Sequence, residues 1–322
     1  MKFRSVKWLI LWCSFFLVAC GKQDAENAAP ERPKIALIMK SMANEFFVTM
    51  AEAASQHQAT HSQTYELIVN GIKNESDLAQ QVALVDQMIA MGVKAIVICP
   101  ADSKALVPAL ARAQRAGIHV VNIDNRLDDS VLKEMGISIP FIGPSNREGA
   151  KLVADYVLKE FSEKTPVVIL EGIPSANNSI ERRLGFEDAI AQYQHELLSV
   201  QSAAWDQTKA AELTSALLSQ YPQTKVILAA NDNMALGAAS AVAMAKMDHA
   251  ITIGGFDNIS AVQPLIESGV IKATLDQQGD QFAIYGIEFA LDMLAGKVGL
   301  VDRETAVDLI TRETLAANGK SP

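Results

Sequence analysis

Ile35-Ala36-Leu37-Ile38-Met39 is an unbroken apolar run that ends at the polar Lys40, with a helical stretch beginning near Asn44. Continuous apolar residues over strand length, without polar alternation, describe a strand covered on both faces, as in parallel sheets. The same unit recurs along the chain. Glu66 to Val69, Ala95 to Cys99, His119 to Ile123 and Ile137 to Ile142 continue the strand series. Helices are predicted from about Ser76 to Met91 and from about Ser103 to Ala116. The second half repeats the rhythm. Its strands are Val167 to Leu170, Leu198 to Ser202, Val226 to Ala229, Ile251 to Gly255 and Ile271 to Leu275, with helices such as Lys209 to Ser219 and Asn233 to Ala245. Strand and helix in strict alternation give an α/β class, and two such series give two doubly wound parallel-sheet lobes.

Upstream of the first strand the sequence changes character. Lys2, Arg4 and Lys7 precede an apolar run from Trp8 to Ala19. This is the layout of a secretory signal, too short to span a bilayer. Leu17-Val18-Ala19-Cys20 resembles a bacterial lipobox, so Cys20 is the expected lipidation site and the mature N-terminus. Residues 20–32 lack hydrophobic periodicity and read as a lipidated, solvated tether. The expected location is the periplasm or cell envelope, lipid-anchored to a membrane. Stable attachment takes more than one acyl chain.

The chain carries a formal charge of −9, and loss of the leader, with its three cations and no acid, takes it to −12. Such a surface is a poor partner for nucleic acid. Of three cysteines, Cys13 leaves with the leader and Cys20 takes lipid. Cys99 then stands alone, and it reads as a buried thiol after an apolar run.

In doubly wound lobes, ligands bind beyond the carboxyl ends of the strands. Polar and aromatic residues stand there repeatedly: Lys40, Asn44, Phe46 and Phe47; Asp124, Asn125 and Arg126; Trp205 and Asp206; Asn231 and Asp232; Asp257 and Asn258; Asp276 and Gln277. Amides and carboxylates pair with hydroxyls, and aromatic faces cover the C–H face of a sugar ring, which suits a small polyhydroxylated ligand. Each residue also has a structural alternative. Asp232 and Asp257 stand where helix caps belong. Phe46 and Phe47 could be core, and Asp124 could make a turn.

Several blocks, in order, resemble the ribose-type periplasmic binding proteins. They are IALIMKSMANEFFVTM from Ile35, IVICPADS from Ile96, Val120-Val121-Asn122-Ile123-Asp124, Ala230 to Ala238, and Gly254-Gly255-Phe256-Asp257. The resemblance covers about residues 34 to 316 and implies a type I binding-protein fold, two lobes joined by a three-segment hinge. It places crossings near Gly143-Pro144, Gln277-Gln278 and Gly299-Leu300. The first lobe is then 33–143 with 278–299, the second 144–277 with 300–316, and 317–322 a tail. The implied ligand-binding residues are Lys40, Asn44, Phe46, Phe47, Asp124, Asn125, Arg182, Trp205, Asn231, Asp257 and Gln277. Arg183 competes with Arg182 for the arginine of the family's Arg-x-x-Gly-Phe pattern. The family often has a small hydroxyl residue where this chain has Lys40, and an arginine where it has Asn125. A cation at Lys40 implies altered ligand choice, with a modified sugar, a polyol and an acidic sugar all open.

The implied function is an extracytoplasmic solute-binding lipoprotein that captures a sugar or polyol between two lobes and delivers it to an ABC-type importer. The alternative output is a membrane sensor. The expected partners are the small-molecule ligand, an ABC permease or sensor, and the membrane through the lipid; the chain is expected to be monomeric. A repressor of the same fold needs a helix-turn-helix module before the first strand, where this chain has its leader and tether. Catalysis is not expected. His57 and His61 have i, i+4 spacing without the accompanying Glu of a metalloprotease helix and read as solvent-exposed. Ser145 and Ser175 sit in no nucleophile elbow. The sequence predicts no cofactor and no metal.

Overall fold

The computed structural model describes residues 32–247 and 249–318. The predicted signal, Cys20 and nearly all of the predicted tether and tail lie outside the described residues. From Arg32 onward the chain forms one unit by its internal contacts.

The first half runs β1 (Lys34–Met39), α1 (Glu45–Thr60), β2 (Glu66–Gly71), α2 (Leu78–Ala90), β3 (Ala95–Ile98), α3 (Val107–Arg115), β4 (His119–Ile123), α4 (Asp129–Glu134) and β5 (Phe141–Gly143). The second runs α5 (Asn146–Leu158), β6 (Pro166–Glu171), α6 (Asn177–Gln192), β7 (Glu196–Ser202), α7 (Gln207–Gln220), β8 (Val226–Ala229), α8 (Asp232–Ala245), β9 (Thr252–Gly254), α9 (Gln263–Ser268) and β10 (Ile271–Asp276). The chain then adds α10 (Gly279–Leu294), β11 (Arg303–Glu304), β12 (Asp308–Thr311) and α11 (Arg312–Asn318).

Two six-stranded sheets result, with orders β2-β1-β3-β4-β5-β11 and β7-β6-β8-β9-β10-β12. Strand β1 pairs in parallel with both β2 and β3, and β6 with both β7 and β8. Each sheet therefore reverses its order at one strand, and the crevice beyond the carboxyl ends of β1/β3 and β6/β8 is where such folds bind ligands.

The burial of β1 explains its composition. Ile35, Leu37 and Met39 join a core with Phe46, Met50 and Phe282 on one face. Ala36 and Ile38 join Val85, Met88 and Leu110 on the other. Each large side chain so buried contributes about 1.5–3 kcal/mol. Cys99 is fully buried, its Sγ 3.8 Å from the Met50 Sδ, and burial holds its thiol well above the ordinary range. His57 departs from the solvent-exposed expectation: its ring stacks on His61 and its Nδ1 lies 2.8 Å from the Tyr65 hydroxyl.

The last segments revise the predicted boundaries. Helix α10 packs on α1, β3 and β4, so it belongs to the first lobe. Arg303-Glu304 pairs in parallel with Ile142-Gly143, and β12 pairs antiparallel with β10. The third passage between lobes therefore falls between Glu304 and Asp308, not near Gly299-Leu300. Strand β5 starts only at Phe141, because Pro140 has no N–H to donate to a ladder.

Hydrogen bonds among the described residues join the lobes across the cleft. Asn177 N–H donates to Ser103 Oγ (2.9 Å), Asn178 N–H to Asn125 Oδ1 (3.2 Å) and Ser260 N–H to Glu45 Oε1 (2.7 Å).

Candidate functional site

Lys40 leaves the end of β1 and points into the cleft with 2% of its surface exposed. Its Nζ lies 3.1 Å from Asp124 Oδ2 and 3.3 Å from Glu75 Oε2. It also sits over the Phe47 ring at 5.4 Å and the Trp205 ring at 5.7 Å. Burial alone would lower the ammonium pKa; the Asp124 and Glu75 carboxylates outweigh that and hold it above its ordinary value. Burial likewise pushes the Glu75 carboxyl up, while Lys40 pulls against it.

Arg182 holds the opposite wall. It extends from α6 with its Nε donating to Asn146 Oδ1 (2.8 Å) and its Nη1 to the Ala230 carbonyl (2.9 Å) and Asp257 Oδ1 (3.2 Å). Its guanidinium stacks 3.6 Å from the Phe256 ring. Gln277 braces Asp257 from behind, its Nε2 donating to Oδ1 at 2.8 Å. Burial raises Asp257 to about 7 despite the attraction of Arg182. Arg183 points away, pairing with Glu171 (3.0 Å) and Glu187 (2.8 Å), so the α6 register puts Arg182 inside.

Two asparagines combine a cap with a place on the wall. Asn44 Oδ1 caps α1 by accepting from Phe46 N (3.0 Å), and Asn231 Oδ1 caps α8 by accepting from Met234 N (2.9 Å). Capping occupies each oxygen and leaves the amide nitrogens to donate; that of Asn231 lies 3.5 Å from the Trp205 carbonyl and keeps its second hydrogen free. Asp232 is no cap. It is buried behind the wall, accepts from Phe256 N, Ile259 N and Thr274 Oγ1, and so fixes the loop that carries Asp257.

Backbone strain gathers here. Asp124 (φ 64°), Trp205 (φ 66°) and Asp257 (φ 116°) all have positive φ, an uncommon state for residues with a Cβ. Such outliers concentrate at ligand clamps. Gly172 lets the Trp205 indole lie against the end of β6: a Cβ there would fall 2.1 Å from ring atoms.

Lys40, Asn44, Phe46, Phe47, Asp124, Arg182, Trp205, Asn231 and Asp257 thus line a single pocket, joined by Glu75 and Asn178. The space between them that is free of protein atoms is about 220 Å³, part of it open to solvent. Gln277 stands one layer behind. Asn125 is not on the wall; its Nδ2 donates to the Pro100 carbonyl and its Oδ1 accepts across the lobes from Asn178 N–H. Glu75 and Asn178 were missed by the sequence reading. Glu75 follows the end of β2, and inspecting that strand end like the others would have selected it. Asn178 is the second residue of α6, seven residues beyond the end of β6, too far for that rule.

A family model described as "Periplasmic binding protein domain" matches residues 35–298. The chain belongs to this family. Among curated relatives, the "D-ribose/D-allose-binding protein" of Pseudomonas aeruginosa is 46% identical over 93% of this chain and 94% of its own length. The "Ribose import binding protein" of Salmonella typhimurium is 30% identical over 87% and 90%. An ABC transporter solute-binding protein from Burkholderia multivorans, 46% identical, superimposes with a TM-score of 0.84 over 87% of this chain and 99% of that one. A periplasmic solute-binding protein from Actinobacillus succinogenes with bound D-allose, 32% identical, gives 0.82 over 89% and 100%. These relatives are binding proteins, and the family places the chain in the periplasm.

The charge cluster yields a stability prediction. Lys40→Met strands two buried carboxylates and costs about 3–5 kcal/mol near neutral pH. The deficit shrinks as pH falls toward 5, because burial pushes the Glu75 carboxyl up and loss of Lys40 removes the charge that pulls against it. Urea denaturation at both pH values measures it, and a deficit that does not change with pH contradicts the ion-pair account.

Asp257 yields a second. Its folded pKa of about 7 exceeds the ordinary 3.8, so the folded form binds more protons across that window and loses stability as pH rises through it. Relative to Asp257→Asn, the native protein should lose roughly 2–4 kcal/mol between pH 4 and pH 7. Parallel slopes of stability against pH would remove Asp257 as the titrating group.

Proposed function

We propose that this chain captures a neutral monosaccharide between its lobes, with D-ribose and D-allose as the first candidates, and presents it to an ABC-type importer. The observation that carries this reading is the convergence of Lys40 and Arg182 with Glu75, Asp124 and Asp257 in one buried pocket walled by aromatic rings. Both cations already have carboxylate partners, at 3.1 and 3.3 Å for Lys40 and 3.2 Å for Arg182. No cation on the wall is left over for an acidic sugar. The Lys40 departure therefore favours a neutral ligand over an acidic one.

Phe46 and Phe47, set edge to face at 5.1 Å, offer an apolar surface on one side, and Trp205 offers another from the second lobe. Carboxylates and amides between them match ring hydroxyls. A buried hydroxyl without a partner would cost about 1–3 kcal/mol, so such a lining selects polyhydroxylated molecules over apolar ones of equal size.

The ligand acts by favouring the closed state. It touches both lobes at once, and closing is favoured by the difference in affinity between closed and open forms. The closed surface is what a permease would read. Lipid on Cys20 and the tether that follows would hold the monomer at a membrane beside that permease.

Calorimetric titration with D-ribose and D-allose tests the reading. At least one should bind, and at one hundred times its Kd it should stabilise the fold by about 2.7 kcal/mol. Failure of both to bind at millimolar concentration contradicts it.

A further inference from the structure

Four polar atoms on or beside this pocket are buried and short of partners among the described residues: Asn178 Oδ1 and Trp205 Nε1 make no hydrogen bond, and Glu75 Oε2 and Asp124 Oδ2 have only the Lys40 ammonium. The two carboxylate oxygens at least face the Lys40 ammonium. Asn178 and Trp205 have no such compensation, although they are only 2% and 6% exposed. Native proteins leave few buried polar groups unpaired, and each one calls for an explanation. A gathering of them around one pocket points to groups that a ligand completes.

Glu75 needs a second explanation. Asp124 is nearer to Lys40 and by itself neutralises it. A further buried carboxylate beside the same ammonium leaves a negative surplus, which is costly unless a donor reaches it. A structural counter-ion role does not require Glu75; a sugar hydroxyl does. Its loop connects β2 and α2 in the first lobe. Asn178 stands opposite, in the second lobe, where its backbone N–H donates across the cleft to Asn125 Oδ1. That bond seats the Asn178 side chain on the pocket wall when the lobes meet.

We propose that Glu75 and Asn178 contact the sugar directly, one from each lobe, and that with the Trp205 indole N–H they determine which neutral monosaccharide is accepted. Glu75 Oε2 and Asn178 Oδ1 accept from two hydroxyls, and Trp205 Nε1 donates to a sugar oxygen. The inference rests on the reading that the ligand is a neutral monosaccharide.

The test is calorimetry of D-ribose and D-allose with the native protein, Glu75→Gln, Asn178→Ala and Trp205→Phe, alongside the melting temperature of each without sugar. Asn178→Ala breaks no side-chain hydrogen bond seen among the described residues. It should melt as the native protein does, yet bind about fivefold more weakly. Glu75→Gln should lose about tenfold or more, as befits a charge-assisted bond. Across the three variants the ratio of the two affinities should change, since the sugars place their hydroxyls differently. If Glu75→Gln fails to fold, Asn178→Ala and Trp205→Phe still decide. Affinities within twofold of native for both sugars overturn the proposal. So does equal weakening for both sugars accompanied by a lower melting temperature, which is the mark of a structural role. If the native protein binds neither sugar, the monosaccharide reading itself falls, and these contacts with it; if the native protein binds and the variants match it, this proposal alone falls.

Discussion

A lysine ammonium buried among carboxylates at the end of a strand is the constraint around which this pocket is built. Lys40 cannot be left charged in the cleft without partners, and it cannot shed its proton while Asp124 stands 3.1 Å away. The ends of β1 and β4 and the loop after β2 are therefore tied to one point. Because the ammonium is already paired, the pocket offers no free cation to an anionic ligand, and its selectivity moves to hydrogen-bond geometry. Buried ion pairs give little net stability against apolar replacements. Their value here is positional, fixing acceptors at defined places in front of Phe47 and Trp205.

The second lobe solves the same problem with different parts. Arg182 collects Asn146, the Ala230 carbonyl and Asp257, and Gln277 steadies Asp257 from behind. Asp232 ties down the Asp257 loop through three donors. Helix caps serve twice, since Asn44 and Asn231 stop unpaired amides at helix starts and face the pocket with what remains. The positive-φ residues Asp124, Trp205 and Asp257 are held in place by these neighbours. A wall so constrained stays in register as the lobes meet, which lowers the entropy lost when a ligand binds.

Much of this was legible in the sequence, for a physical reason. Strands buried on both faces must be apolar without interruption, so Ile35 to Met39 and Val226 to Ala229 announce themselves. Ligand sites in such sheets lie past strand ends, so Lys40, Asp124, Asn231 and Asp257 could be found by position. What could not be read depends on long-range pairing. Arg303-Glu304 has no strand character of its own and is a strand only because Ile142-Gly143 offers it an edge. This is why the third crossing lies later than expected. Asn125 looked like a ligand contact from its place after β4, but its amide braces Pro100 and Asn178 instead. Sequence places a residue at a strand end; only the loop path decides which way its side chain turns.

The central claim is that the Lys40 cluster makes the pocket selective for neutral sugars. The most direct measurement is a calorimetric comparison of D-allose with the acid formed by oxidising its C6, D-alluronate, which keeps the sugar ring, under identical conditions. A pocket whose cations are already paired should bind the neutral sugar and discriminate against the anion by roughly a hundredfold or more, because an added negative charge meets Glu75 and Asp124 without a free cation. Equal or tighter binding of the acid would show that Lys40 or Arg182 is available to a carboxylate, and would contradict the account.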